Sequence, residues 1–115
     1  MTKNKESTRY YSSLQEQRVS KELNGEICPG SGSGRFRKGD VIHHPTMLIE
    51  CKTTVSPKES FSIKKDWIEK NKQERFSQRI ENSCIAFNFE PDGENYYVID
   101  TKLMQYLIEK LDEDF

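Results

Sequence analysis

The stretch that decides the fold is Gly39-Asp40-Val41-Ile42-His43-His44-Pro45-Thr46-Met47-Leu48-Ile49-Glu50-Cys51-Lys52-Thr53-Thr54. Its two apolar segments, residues 41–43 and 47–54, have the composition of β-strands, and Pro45 between them marks a turn. Side chains alternate between the two faces of a strand, so Glu50 and Lys52 are predicted to point the same way. An ion pair on one face of this strand is therefore expected.

A hairpin centred on Pro45 would place Val41 opposite Ile49 and Asp40 opposite Glu50. Directly opposed residues have Cβ atoms about 4.5–5.5 Å apart, and two carboxylates at that distance repel each other unless a cation lies between them. The pattern predicts a divalent metal. Mg²⁺ is expected because it prefers oxygen and is often held by one or two carboxylates, and Mn²⁺ is expected to substitute for it.

Lys52, on the same face as Glu50, is suited to hold a water or to neutralise charge that develops on a phosphate. The three residues together indicate hydrolysis of a phosphodiester. The alternative interpretation is a structural cross-strand ion pair at the edge of a sheet.

Length and composition favour one domain, because 115 residues suffice for a single sheet with a few helices. No apolar run is long enough to span a membrane and the polar start is unlike a signal peptide, so a soluble cytoplasmic protein is expected. The three widely spaced cysteines fit neither a disulfide framework nor a zinc site. We expect Cys51 and Cys84 to behave as small core residues.

Charge is divided unevenly along the chain. Residues 1–79 hold 16 Lys and Arg against 10 Asp and Glu, whereas residues 80–115 hold 2 against 9. This asymmetry suggests a basic face for a polyanion and an acidic remainder. The alternative is that the two halves mix in space.

The periodicity of the chain predicts an α/β fold. Residues 1–9 are expected to form a flexible basic arm. A helix is predicted over residues 10–23, with Ser12 or Ser13 as its N-cap and with Leu14, Val19 and Leu23 toward the core. Further helices are predicted over residues 63–79, capped by Ser62, and 101–111, and strands over residues 26–29, 41–43, 47–54, 83–89 and 95–99. This order predicts a mixed five-stranded sheet flanked by helices in a single domain, residues 10–115.

Candidate phosphate contacts lie in two places. The glycine-serine loop of residues 30–34 frees backbone N–H groups and hydroxyls, cations follow it directly, and the predicted second helix is basic. The expected DNA-binding residues are Ser33, Arg35, Arg37, Lys38, Lys64, Lys65 and Lys72. The alternative readings are a flexible linker for the loop and a solvated face for the helix.

Taken in order, these motifs resemble the restriction-endonuclease-like nuclease superfamily, whose signature is an Asp followed by Glu-x-Lys. More narrowly, they are similar to the phage-type and archaeal Holliday junction resolvases. The residues that carry the resemblance are Gln15-Glu16-Gln17-Arg18-Val19, Pro29-Gly30-Ser31-Gly32, Lys38-Gly39-Asp40-Val41 and Leu48-Ile49-Glu50-Cys51-Lys52-Thr53-Thr54. The chain departs from the pattern at Gly39, where the family's name-giving residue is Pro.

The resemblance implies roles for individual residues. Asp40, Glu50 and the backbone carbonyl of Cys51 would ligate Mg²⁺, and Glu16 would bind or orient the metal or its water. Lys52 would position the attacking water, and we favour it as an electrostatic stabiliser rather than as the base, because a lysine beside two carboxylates tends to stay protonated.

Ser31 would match the loop serine that assists cleavage, with Ser33 as the second candidate. Glu22 is an alternative to Glu16, but its spacing places it on a different face of the helix. Gln73 or Glu74 would match a polar residue that family members often turn toward the metal.

The implied function is a Mg²⁺-dependent endonuclease, phage- or prophage-encoded, that resolves four-way DNA junctions. A junction has twofold symmetry and needs two cuts, so a homodimer is expected. The alternatives are a nuclease of the same fold that acts on flaps, mismatches or duplex ends, and a noncatalytic nucleic-acid-binding module.

Overall fold

A computed structural model describes residues 5–28, 40–43 and 45–115. The elements follow the predicted order of helix, three strands, helix, two strands and helix. They are α1 (Lys5–Leu23), β1 (Glu26–Ile27), β2 (Val41–His43), β3 (Met47–Cys51), α2 (Lys65–Ser77), β4 (Asn82–Phe87), β5 (Tyr96–Val98) and α3 (Thr101–Glu113). No helix among these residues is long and apolar enough to cross a membrane.

The five strands form one mixed sheet in the order β1-β2-β3-β4-β5. Strands β3 and β4 run parallel, and the other neighbours are antiparallel. A parallel pair cannot be joined by a tight turn, so the chain crosses between β3 and β4 through α2. The prediction of an α/β protein with a mixed five-stranded sheet is confirmed.

The central hairpin has the predicted register. Val41 lies opposite Ile49 in the β2–β3 ladder, and Ile42 lies opposite Leu48. The turn is closed by the Thr46 N–H, which donates to the His43 carbonyl at 2.8 Å. This register sets the position of every side chain that follows, because a slip of one residue would reverse the two faces.

Each face of the hairpin is buried in its own apolar cluster. On one face Val41 and Ile49 pack with Val19 of α1 and with Cys84 and Ala86 of β4. On the other face the cluster contains Cys28, Ile42, Leu48 and Ile80. The three cysteines, all among the described residues, form no disulfide.

Helix α1 begins earlier than predicted. It starts at Lys5, so Ser12 and Ser13 lie within the helix and neither is its cap, and residues 5–9 of the expected arm are helical. The reason is that this polar segment contains neither glycine nor proline and therefore nothing that stops the helix from extending. Residues 1–4 of the arm lie outside the described residues.

The start of α2 was also predicted wrongly. The helix begins after Lys64, which makes no side-chain cap, rather than at Ser62. Within the helix the aromatic Phe76 is 78% exposed, whereas the polar Asn71 is buried. The Asn71 side-chain amide donates to the Cys84 carbonyl at 2.9 Å, so a hydrogen bond to the sheet takes the place of an apolar contact.

The buried hairpin predicts a sharp contrast between two isoleucines. Ile49 is fully buried, so Ile49→Ala should lower the free energy of unfolding by about 2–5 kcal/mol through lost burial and a cavity. Ile27 lies in the short strand β1 and is 37% exposed, so Ile27→Ala should lower the free energy of unfolding by clearly less than Ile49→Ala does. Urea denaturation of both variants measures the difference, and equal losses would contradict the described core.

Candidate active site

Asp40 is held at the open end of the hairpin by the backbone. Its N–H donates to the Ile49 carbonyl at 3.2 Å, and its own carbonyl accepts from the Cys28 N–H at 3.0 Å. Its side chain accepts a hydrogen bond from the Cys51 N–H at 2.7 Å. Asp40 is thereby fixed against the end of β3, beside the residues that the strand presents there.

Glu50 and Lys52 form the predicted ion pair. Oε2 of Glu50 lies 3.6 Å from Nζ of Lys52, and both side chains are about seven-tenths buried. The Lys52 ammonium also lies 4.6 Å from the centre of the Trp67 ring, a cation–π contact supplied by α2. The amine is therefore held between a carboxyl group and an aromatic face.

The carboxyl groups of Asp40 and Glu50 contact each other. Burial is the largest cause that raises the pKa of Glu50 to about 7, and the negative charge of Asp40 is the second. The positive charge of Lys52 lowers this pKa and so opposes the shift. Burial also raises the pKa of Asp40, although its hydrogen bond from the Cys51 N–H, its contact with Glu50 and the charge of Lys52 oppose the shift. Two adjacent carboxyl groups removed from water retain protons toward neutral pH, which is the behaviour of a site short of positive charge.

A third carboxyl group, that of Glu16 on α1, lies near enough to interact electrostatically with this pair. Burial and the negative charge of Asp40 raise the pKa of Glu16 to about 7. Burial has the largest effect on the pKa of the Cys51 thiol, and the charges of Asp40, Glu16 and Glu50 raise it further. Glu16 is therefore coupled through its charge to the hairpin acids.

Glu22 takes a different position. Its carboxylate pairs with Arg18 of the same helix at 3.1 Å, and about four-tenths of each side chain is exposed. Of the two candidate acids on α1, Glu16 and Glu22, it is Glu16 that interacts with the hairpin acids. In α2, Gln73 is exposed and Glu74 is half-buried, and the polar side chain that α2 turns toward the sheet is Asn71.

Gln15, for which no role was predicted, is almost fully buried under the site. Its Nε2 lies 2.9 Å from the Lys52 carbonyl, 3.3 Å from the Ala86 carbonyl and 3.0 Å from Oδ1 of Asn95. This amide ties α1 to the ends of β3 and β4. The available signal was its spacing of four residues from Val19, which places it on the buried face of the helix.

The expected DNA-binding residues are divided by the structure. Lys64 lies 5.7 Å from the Trp67 ring centre and so adjoins Lys52 through that ring. Lys65 pairs with Glu69 at 3.9 Å along the exposed side of α2, and Lys72 pairs with Asp100 at 3.4 Å. Ser31, Ser33, Arg35, Arg37 and Lys38 lie outside the described residues.

The donor set suits a hard cation. Among residues 5–28, 40–43 and 45–115, no group of three or more His, Cys, Asp and Glu side chains is arranged to hold a metal on its own. Mg²⁺ does not need one, because it commonly keeps several waters and binds through one or two carboxylates plus substrate oxygens. The adjacent carboxyl groups of Asp40 and Glu50 fit that requirement. Their raised pKa values indicate that the site lacks positive charge.

Comparison of the chain with protein-family models, with curated proteins and with solved structures found no match.

The raised carboxyl pKa values predict how stability depends on pH. The folded metal-free protein should hold protons on Glu16 and Glu50 between about 4.5 and about 7, where the unfolded chain has lost them. The unfolded state then binds fewer protons, so the free energy of unfolding should fall as the pH rises through this window. Urea denaturation in EDTA at intervals of half a pH unit measures the slope.

The matched variants for this test are Glu50→Gln and Glu109→Gln. The first removes one of the buried acids and should flatten the fall with pH, whereas the second changes an exposed acid of α3 and should leave it unchanged. A free energy of unfolding that rises through the same window would contradict the protonation described for the site.

Proposed function

We propose that the protein is a Mg²⁺-dependent endodeoxyribonuclease with a restriction-endonuclease-like fold. The observation that carries the proposal is the meeting of Asp40, Glu50 and Lys52 at one end of β3. The mixed sheet with an acid from α1 and an Asp, Glu-x-Lys series on the central hairpin supports the fold assignment. An intracellular site of action is part of this proposal.

A metal site accounts for this arrangement better than a purely structural role does. A cross-strand ion pair requires only Glu50 and Lys52, yet Asp40 and Glu16 add two further carboxyl groups to the same partly buried place. Burying like charges together is costly unless a cation compensates for it. A divalent cation relieves this cost, and hence the extra acids favour a metal site over a structural ion pair.

Each residue then has a chemical role. Asp40, Glu50 and the Cys51 carbonyl would hold the ion, which when bound would polarise the phosphate and lower the pKa of water. Glu16 would orient the attacking water. Lys52 would offset negative charge that develops on the phosphate, since its ammonium is held next to Glu50 and over Trp67. Ser31 would assist from the glycine-serine loop.

The substrate that we propose is branched DNA, most specifically the four-way junction. The resemblance to junction resolvases, carried by the order of the motifs from Gln15 to Thr54, supports this choice. Symmetric resolution requires two cuts and thus two active sites. The enzyme is accordingly proposed to work as a homodimer.

Helix α3 offers a surface for that dimer. Only Leu103 of this helix is buried, while Met104, Leu107, Ile108 and Leu111 form an apolar stripe that is 42–58% exposed. An antiparallel pair of α3 helices would bring Leu107 beside Ile108 of a second copy and Lys102 near Glu113. Such a pair would cover the apolar stripe of each copy with that of the other.

Replacing the acids of the hairpin tests the catalytic proposal. Asp40→Asn and Glu50→Gln should each reduce cleavage of a four-way junction in Mg²⁺ by more than about a hundredfold, because losing a metal ligand costs at least as much as losing its outer-shell support. Binding of the junction in Ca²⁺ should be retained. The measurements are gel cleavage and gel-shift assays on junction, flap and linear duplex, with Glu109→Gln as the control.

The three substrates separate the alternatives. Preference for the linear duplex or the flap would remove the resolvase assignment and leave a nuclease of another specificity. Wild-type protein that binds junctions but cuts none of the substrates with any divalent ion would replace the enzyme by a noncatalytic binding module.

The α3 surface predicts a defined dimer. Leu111→Glu should weaken the dimer at least about tenfold, because a carboxylate would be buried in the apolar contact. Phe76→Glu changes an equally apolar, exposed residue of α2 and should leave the dimer intact. Sedimentation velocity measures both variants. A wild-type protein that stays monomeric at the highest soluble concentration would exclude this interface.

A further inference from the structure

Five aromatic rings form a continuous surface beside the candidate active site. Phe61 lies 5.3 Å from Phe87 and 6.3 Å from Trp67 between ring centres. Phe87 in turn lies 5.5 Å from Phe89 and 5.9 Å from Tyr96, and the last two are 5.6 Å apart. The rings come from three separate segments, so the fold assembles them at one place.

The position of these rings follows from the sheet. Phe87 ends β4 and pairs directly with Tyr96, which begins β5. Strands β3 and β4 run parallel, so this is also the end of the sheet at which Glu50 and Lys52 lie. Trp67 joins the two places, because its ring contacts both Phe61 and the Lys52 ammonium.

The aromatic surface is accessible. Tyr96 is 45% exposed, and the other four rings are half-buried rather than enclosed. Rings needed only as core filling would be expected to have low exposure throughout, as Ile85 does in the middle of β4. Here each ring keeps part of its surface in solvent.

The charges around the rings are ordered. At the Trp67 end, the ammonium groups of Lys52 and Lys64 lie 4.6 and 5.7 Å from the ring centre. At the opposite end, Glu90 and Glu94 border a cavity together with Phe89 and Tyr96. At the first end Lys52 is paired with Glu50, so the exposed Lys64 is the cation that can attract a phosphate there. The two acids repel a phosphate from the second end, and an uncharged base can lie over the rings between them.

We propose that this aromatic surface binds single-stranded DNA by stacking unpaired bases, with a phosphate of the same strand at Lys64. Stacking on aromatic side chains next to a cationic groove is how proteins hold unpaired nucleic acid without reading its sequence. This inference deepens the proposed function. It rests on that function only in placing the cleaved phosphodiester beside the stacked bases. Paired bases are already stacked on each other, so a duplex cannot occupy the surface in this way.

Trp67 allows a direct test because it is the only tryptophan of the chain. Its fluorescence should be quenched when oligothymidylate binds in EDTA, and a duplex of equal length should bind more weakly. The absence of metal separates this test from cleavage. A failed nuclease assay would therefore leave the binding result intact, and the reverse also holds.

Phe61→Leu and Tyr96→Leu each remove one stacking surface while keeping apolar bulk. Each should weaken binding of oligothymidylate at least about fivefold, the lower range expected for the loss of one stacked base. Phe76→Leu replaces an exposed phenylalanine of α2 outside the cluster and should change the affinity less than about twofold. Circular dichroism confirms that each variant is folded.

Three outcomes would overturn the proposal. They are unchanged Trp67 fluorescence at saturating oligonucleotide, equal affinity for single-stranded and duplex DNA, and equal losses in the cluster variants and in Phe76→Leu. If only one of the two cluster variants folds, that variant alone decides the comparison with the control.

Discussion

The burial of adjacent carboxyl groups at the end of the central hairpin is the constraint on which the site depends. The Asp40 side chain is held there by a hydrogen bond from the Cys51 N–H. The position of Glu50 follows from the register of β2 against β3. The register thus keeps the main chain of the two residues side by side, and the neighbouring Lys52 offsets only part of the effect of burying their carboxyl groups together. A site with this charge deficit is prepared for a cation and for the phosphate that accompanies it.

Buried amides give this acidic site its rigidity. Gln15 ties α1 to the carbonyls that end β3 and β4, which sets Glu16, its neighbour in the chain, beside the acids. Asn88, fully buried, accepts hydrogen bonds from the Thr53 hydroxyl and the Thr54 N–H just beyond Lys52. Hydrogen bonds of this kind are costly to leave unmade, so they fix the segments that carry the functional groups. The core of the protein is thus partly polar where it adjoins the site.

The hairpin and its acids were predictable because alternation and the turn at Pro45 determine register locally. The ion pair between Glu50 and Lys52 needed no more than the two-residue period of a strand. The start of α1 was not predictable from capping residues, because a polar stretch without a helix breaker has no fixed boundary. The burial of Gln15 was not predicted, because the buried face of α1 was identified from its apolar residues alone. The pairing of Lys72 with Asp100 joins distant segments and needs the tertiary structure.

Cys51 lies between Glu50, a proposed metal ligand, and Lys52 in the sequence, and the chemistry of its thiol depends on the acids around it. Thiolates, not thiols, react with alkylating and oxidising agents. Burial and three nearby acids keep this sulfur protonated, and burial likewise raises the pKa of Cys84 to about 12. Burial and the same acids that assemble the site therefore disfavour the reactive thiolate form of Cys51.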